Sequence, residues 1–277
     1  MTSNRFAGYS ERSPRHPGIM LFDQAEYNIR CEWGEKGISL LAPISDFIII
    51  VDVLSFSTAV DIAVGQGALV YPYRWNDETA NEFANSVEAE VADENNKNGY
   101  CLSPGSLRSL HSGIRLVLPS PNGSTLSLST GSTPTVAGCL RNCEAIADSA
   151  MRKGKNVAVI PAGERWDDGT LRPCVEDLIG AGAIISYLRG TFSPEARVAR
   201  AAFEAASSNL FEHIRDCGSG KEKENRGEGG DVILASELNA SGCVPILIEG
   251  AYRIENGELR MENGEWRIEN GELRMEN

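Results

Sequence analysis

No run of about 18 consecutive apolar residues occurs in this 277-residue chain, so no segment is expected to cross a membrane as a helix. Met1 to Pro17 carries Arg5, Arg12 and Arg15 but lacks the apolar stretch of a secretion signal, and a cytoplasmic protein is expected. Basic residues are scarce: 26 Lys and Arg stand against 39 Asp and Glu, a formal net charge of −13. That balance argues against nucleic acid as a partner, because such binders normally carry a basic stripe. An anionic small molecule is not excluded, since a metal ion, an arginine or a helix N-terminus supplies enough local counter-charge. Neither a P-loop nor a G-x-G-x-x-G fingerprint is present, which speaks against nucleotide use. The seven cysteines, Cys31, Cys101, Cys139, Cys143, Cys174, Cys217 and Cys243, form no C-x-x-C pair. Reduced thiols are expected, with Cys139 and Cys143 as a weak metal-pair alternative.

What the chain does have is 42% hydrophobic residues and 28 glycines, enough for a real core with many tight turns. Residues 1–18 are rich in Ser, Pro and Arg and read as a mobile extension. Residues 19–250 hold the strand-like and helix-like segments. From Arg253 the sequence becomes RIENGEL, RMENGEW, RIENGEL, RMEN, a seven-residue period with Asn-Gly in each unit. A glycine per unit costs roughly 1 kcal/mol in a helix, and no a/d seam is visible, so a coiled coil is rejected. The repeat at 253–277 is expected to be disordered and dispensable.

Within the central part, Asp46–Leu54 is a short apolar run with β-branched residues that reads as a buried parallel strand. Helical spacing follows over 58–65, then strands near 68–73, 114–118, 135–139, 156–163 and 244–248. Helices are expected over 76–90, 142–153, 176–188 and 196–215, and residues 217–231 read as an exposed loop. Alternating strands and helices predict a three-layer α/β/α sandwich around a mostly parallel or mixed sheet. Ligands in such folds gather beyond the carboxyl ends of strands, which selects the loops after Val53, Leu118, Val136 and Ala162.

Three groups of residues in those loops could carry chemistry. Asp52 ends an apolar strand, where a carboxylate is costly unless it is paired or binds a cation. It reads either as a cap on the next helix or as a metal ligand or nucleophile. Leu54 stands where aspartyl-phosphate enzymes place a second Asp, which favours a metal-bound water over a covalent intermediate. Ser55, Ser57 and Thr58 follow at a helix start, where they either hold an anion or cap the helix. In the second group Asn122 offers an amide, Gly123 allows close backbone approach, and Ser124 adds a hydroxyl. In the third, Glu176 and Asp177 lie in a first helical turn after Ala162-Gly163-Glu164. They either compensate the helix dipole or bind Mg²⁺, with one of the two facing the site. None of His16, His111 and His213 lies in these loops, so metal catalysis is preferred to a histidine acid–base mechanism.

Five segments in order, VDVLSFSTAV (51–60), NGYCLSP (98–104), PNGS (121–124), CLRNCEAIA (139–147) and AG followed by VEDLIGAG (175–182), resemble the 2-phosphosulfolactate phosphatase family of coenzyme M biosynthesis. The resemblance implies a Mg²⁺-dependent hydrolase that releases phosphate and 3-sulfolactate. It places Asp52, Asn122, Glu176 and Asp177 at the family's motif positions. Ser55 departs from the family pattern, which has arginine there. The expected partner is a small phosphorylated acid, with assembly of identical copies left open. The alternative is a non-catalytic protein that binds such an acid on the same scaffold.

Overall fold

The computed structural model describes residues 22–93 and 99–255, together with the backbone of 267–269 and 272–274. The expected extension at 1–18 and Asn98 of the second motif lie outside the described residues. Among the described residues no helix is long and apolar enough to cross a membrane.

In chain order the elements are β1 (Ile29–Cys31), α1 (Gly34–Leu41), β2 (Phe47–Val51), α2 (Phe56–Gly65), β3 (Leu69–Tyr73), α3 (Glu78–Ser86) and β4 (Glu90–Val91). There follow β5 (Arg115–Pro119), α4 (Gly123–Ser127), β6 (Thr135–Gly138), α5 (Cys143–Lys153) and β7 (Val157–Pro161). A small hairpin of β8 (Glu164–Arg165) and β9 (Leu171–Arg172) precedes α6 (Val175–Tyr187), α7 (Pro194–Ala206) and α8 (Leu210–Asp216). The described domain ends with α9 (Gly218–Asn225), α10 (Gly229–Ala235), β10 (Pro245–Ile248) and β11 (Ala251–Ile254).

Nine strands form one mixed sheet in the order β1-β7-β2-β6-β10-β11-β3-β5-β4. Strict alternation along the buried strands creates the layers. In β2, Phe47, Ile49 and Val51 face a core shared with α5, α6 and α7, while Ile48 and Ile50 face Ile38 and Leu41 of α1. In the other half of the sheet, Leu116 and Leu118 meet α2, and Val117 meets Ala80 and Ala84 of α3. Helices thus cover both faces, as the three-layer expectation requires.

β1, β7, β2 and β6 pair in parallel, as do β3, β5 and β4. Between these two blocks sits the antiparallel hairpin β10–β11, joined to β6 by Ile246↔Val136 and to β3 by Tyr252↔Val70. Its turn, Glu249-Gly250, has φ of 51° and 81°, the two positive angles that a two-residue hairpin turn matched to strand twist requires. The ladder on each side of the hairpin is one residue pair long, so little holds the blocks coplanar.

Four expectations need revision. Residues 217–231 are mostly helical rather than a loop, because Cys217 Sγ accepts the Gly220 N–H at the start of α9 and Lys223 pairs with Glu228 and Asp231. The helix expected over 196–215 breaks into α7 and α8 at a 3-10 turn, Ser207–Asn209. The border at 253 falls inside β11. Arg253 and Ile254 complete that strand, and Glu255 accepts from Ser149 Oγ and donates its N–H to the Val244 carbonyl. Further along the repeat, Arg267–Glu269 pairs antiparallel with Glu272–Arg274, whereas disorder is expected there; the rest of the repeat lies outside the described residues.

Candidate active site

β2 delivers Asp52 to the point where two helices begin. Its Oδ1 accepts the N–H of Phe56, the first residue of α2, at 3.1 Å, and its Oδ2 accepts the N–H of Gly123, the first residue of α4, at 3.0 Å. One carboxylate thereby satisfies the leading amide of two helices, where partial positive charge is concentrated. Only glycine fits at 123, because an added Cβ would overlap the Phe56 ring. Asp52 is 5% exposed. Its carboxyl is raised to about 7, chiefly by burial and in part by the acids Glu164 and Glu176, against the pull of the two amides.

Asp177, in the first turn of α6, makes a second bridge. Its Oδ1 accepts the Val53 N–H and its Oδ2 the Gly163 N–H, each at 2.8 Å, tying the loop after β2 to the loop after β7. Gly163 is at φ +67°, and a Cβ there would press on the Arg172 carbonyl at 2.8 Å, so the turn requires glycine. Burial, then Asp52 and Glu176, hold the Asp177 carboxyl well above the usual carboxylate range. Glu176 is also buried, at 3% exposure, and lies toward Cys217, whose thiol is pushed up to about 12 by burial and then by Glu176. Of the adjacent pair it is Asp177 that reaches the loops after β2 and β7.

Asn122 stands on the outer side of this cluster. Its Nδ2 donates to Glu164 Oε1 at 2.8 Å, at the edge of a cavity of about 290 Å³. Trp33 and Lys36 from the start of α1, Thr125 from α4, and Arg165 and Leu171 from the β8–β9 hairpin line the same cavity.

The serines and threonine separate from this group. Ser57 Oγ donates to the Ile50 carbonyl and accepts the Asp52 N–H. Thr58 Oγ1 donates to the Val53 carbonyl, and Ser124 Oγ to the Leu118 carbonyl. All three residues are fully buried, and of the two roles open to them their hydroxyls here take the structural one, stitching helix starts to strand ends. Ser55 is different. Its Oγ is buried and has no hydrogen-bond partner among the described residues, an arrangement that normally costs about 1–3 kcal/mol.

Three of the four loops selected at the carboxyl ends meet here, those after β2, β5 and β7. The loop after β6 goes elsewhere, carrying Arg141 to the buried Asp61 at 3.0 Å. Glu164 stood in the third candidate group, behind the Ala162-Gly163 turn, whereas Arg165, Lys36 and Trp33 were not anticipated in the site. Lys36 had no signal, since α1 is a short helix whose glycines hide its periodicity.

Among the described residues no three of His, Cys, Asp and Glu converge closely enough to form a protein-only coordination sphere. Mg²⁺ is usually bound through one or two carboxylates and several waters, so Asp52 and Asp177 suit it as a pair without a third ligand. Both still have lone pairs beyond the amides they accept.

The family model described as 2-phosphosulpholactate phosphatase matches residues 38–250, a span that includes Asp52, Asn122, Gly123, Glu176 and Asp177. The chain belongs to the 2-phosphosulfolactate phosphatase family. A relative from Methanothermobacter thermautotrophicus, named 2-phosphosulfolactate phosphatase, is 28% identical over 214 residues, covering 76% of this chain and 90% of that protein. One from Carboxydothermus hydrogenoformans, named probable 2-phosphosulfolactate phosphatase, is 33% identical over 152 residues, covering 53% of this chain and 62% of that protein.

Proposed function

We propose that this chain is a Mg²⁺-dependent phosphatase that hydrolyses the phosphomonoester of a small acid, and that the substrate is 2-phospho-3-sulfolactate. The observation that carries the reading is the pair of buried carboxylates at Asp52 and Asp177, each raised by burial and then by its acidic neighbours. Among the described residues neither has a Lys or Arg as a hydrogen-bond partner. Buried charge of one sign calls for a cation. Asp52 and Asp177 would hold Mg²⁺, which when bound polarises the phosphoryl group and lowers the pKa of a bound water. The chain's own groups do the rest. The amides of Phe56 and Gly123 fix the orientation of Asp52 before substrate arrives, which avoids reorganisation during the reaction. Asn122 presents its amide beside the cluster, and the free Ser55 hydroxyl can donate to a phosphoryl oxygen. Glu164 holds Asn122 in place.

The second reading, a binder of phosphorylated acids without turnover, draws on the same Asp52 bonds, because a carboxylate that caps two helices has a structural role without any chemistry. Phosphate release from 2-phosphosulfolactate with Mg²⁺ and with EDTA separates the two. Release that needs Mg²⁺ and is lost in Asp52→Asn supports the phosphatase. Thermal stabilisation by the ester with no release supports the binder.

A further inference from the structure

The cavity beside Asn122 has one wall that the catalytic reading leaves without a task. We propose that Lys36, set against a wall fixed by Arg165, receives the acid group of the substrate that lies remote from its phosphate. This rests on the phosphatase reading and names the part of the site that selects the substrate.

Charge inside the cavity is unevenly matched. Glu35 pairs with the Arg165 guanidinium. Glu164 accepts from Asn122 Nδ2 and from the Arg165 N–H. Among the described residues the Lys36 ammonium has neither a carboxylate nor any other hydrogen-bond partner, although it lines the same cavity. Both acids of the cavity are therefore engaged, and the one free charge is positive.

The wall is also built to stay where it is. Arg165 Nη1 donates to the Gly169 carbonyl across the hairpin, and Leu171 packs within 3.4 Å of where a Gly34 Cβ would sit. Glycine at 34, with φ +56°, brings the start of α1 against the hairpin. Asn122 links the cavity to Gly123 and so to Asp52. A substrate with its phosphate at Asp52 and Asn122 would thus extend its other end toward Lys36. About 290 Å³ is near the lower limit for small-ligand sites and suits a three-carbon acid. The cavity of about 340 Å³ next to Arg141 is a weaker candidate, because Asp61 and Glu237 already neutralise that arginine.

Lys36 is exposed and its replacement should fold. The test compares kcat/KM for 2-phosphosulfolactate with that for phenyl phosphate, which has no second acid group. In Lys36→Ala the ratio should fall about tenfold, the order of one hydrogen bond to a charged group, mostly through KM; Lys36→Arg should restore it. A ratio unchanged in Lys36→Ala overturns the assignment. A parallel measurement needs no turnover. 3-Sulfolactate should raise the melting temperature of the wild type more than lactate does, and Lys36→Ala should lose that difference. If the wild type releases no phosphate yet shows the Lys36-dependent difference, the phosphatase reading fails and the subsite stands. If sulfolactate and lactate act alike on the wild type, the subsite fails whatever the phosphate assay gives.

Discussion

The Gly123 N–H donates to Asp52 Oδ2 at 3.0 Å, joining residues 71 positions apart. The bond is not one that the sheet order would suggest. β6, β10, β11 and β3 lie between β2 and β5, which at about 4.8 Å per strand would separate them by roughly 24 Å in a flat sheet. Three antiparallel steps also reverse the direction of β5 relative to β2. Ser120 to Asn122 span at most about 10 Å. The two parallel blocks are therefore turned against each other across the β10–β11 hairpin, and the site forms where they fold together.

Gly123→Ala should damage both stability and activity. Its methyl would overlap the Phe56 ring, and overpacking a tight contact typically costs about 1–3 kcal/mol. Relief by shifting α4 would pull the amide from Asp52. Urea midpoints should fall without a change in slope, and phosphate release should drop more than the loss of folded protein explains.

Without metal, stability should fall as pH rises from about 4 to about 7. The folded-state carboxyl of Asp52 is raised from 3.8 to about 7, so over that window the unfolded chain releases a proton that the folded chain keeps. The penalty is complete above pH 7 and absent below 4; Asp177 acts in the same direction. Calorimetry in EDTA should show this slope, flattened in Asp52→Asn. Mg²⁺ should raise the melting temperature more at pH 8 than at pH 5, because it competes with those protons. Equal shifts at both pH values would count against metal binding at these carboxylates.

How much of this was legible in the sequence depends on which residues carry it. The apolar run at Phe47–Val51 and the acid behind it located the strand and the site together, since a carboxylate there must find partners. Glu176-Asp177 was equally visible as a helix start. The partners themselves were not. That Asp52 would cap α4 as well as α2 depends on how the blocks turn, which no local spacing encodes. Ser57, Thr58 and Ser124 looked like ligand hydroxyls because a helix start after a strand offers the same residues for either purpose. Their burial, and the strand carbonyls they reach at 2.8–3.0 Å, are what the structure adds to that choice. Cys217–Asp231 was misread because its glycines mask helices held by side chains of the segment itself, Cys217 at the start of α9 and Lys223 against Glu228 and Asp231.

Arg141→Met should destabilise the fold by about 3–5 kcal/mol, since it leaves Asp61 buried at 1% side-chain exposure without its cation. Ser241 Oγ, at 2.7 Å, would remain its partner. Adding Asp61→Asn should recover part of the loss. Thermal melts of the single and double variants measure this, and a purely additive result would mean that the pair does not act as a unit.

Chains cut after Glu255 and after Tyr252 should behave differently. The first keeps β11 and the Ser149–Glu255 and Lys153–Glu255 contacts, and should melt with the full-length protein. The second loses two residues of β11, along with those contacts, and should melt several degrees lower. Identical melting curves would show that β11 needs nothing beyond Tyr252.

The position of the β10–β11 hairpin also has a consequence for how the chain reaches its native state. β10 reaches back to Val136 and β11 to Val70, so the strands that unite the sheet are among the last of the domain to leave the ribosome. Until about residue 254 emerges, β6 and β3 each present an open edge with no strand beside it. Such edges invite pairing with other chains, and pairings this distant in sequence form slowly. Newly made protein should thus pass through an interval in which crowding or heat diverts it to aggregates, and chaperone demand should end when that hairpin docks.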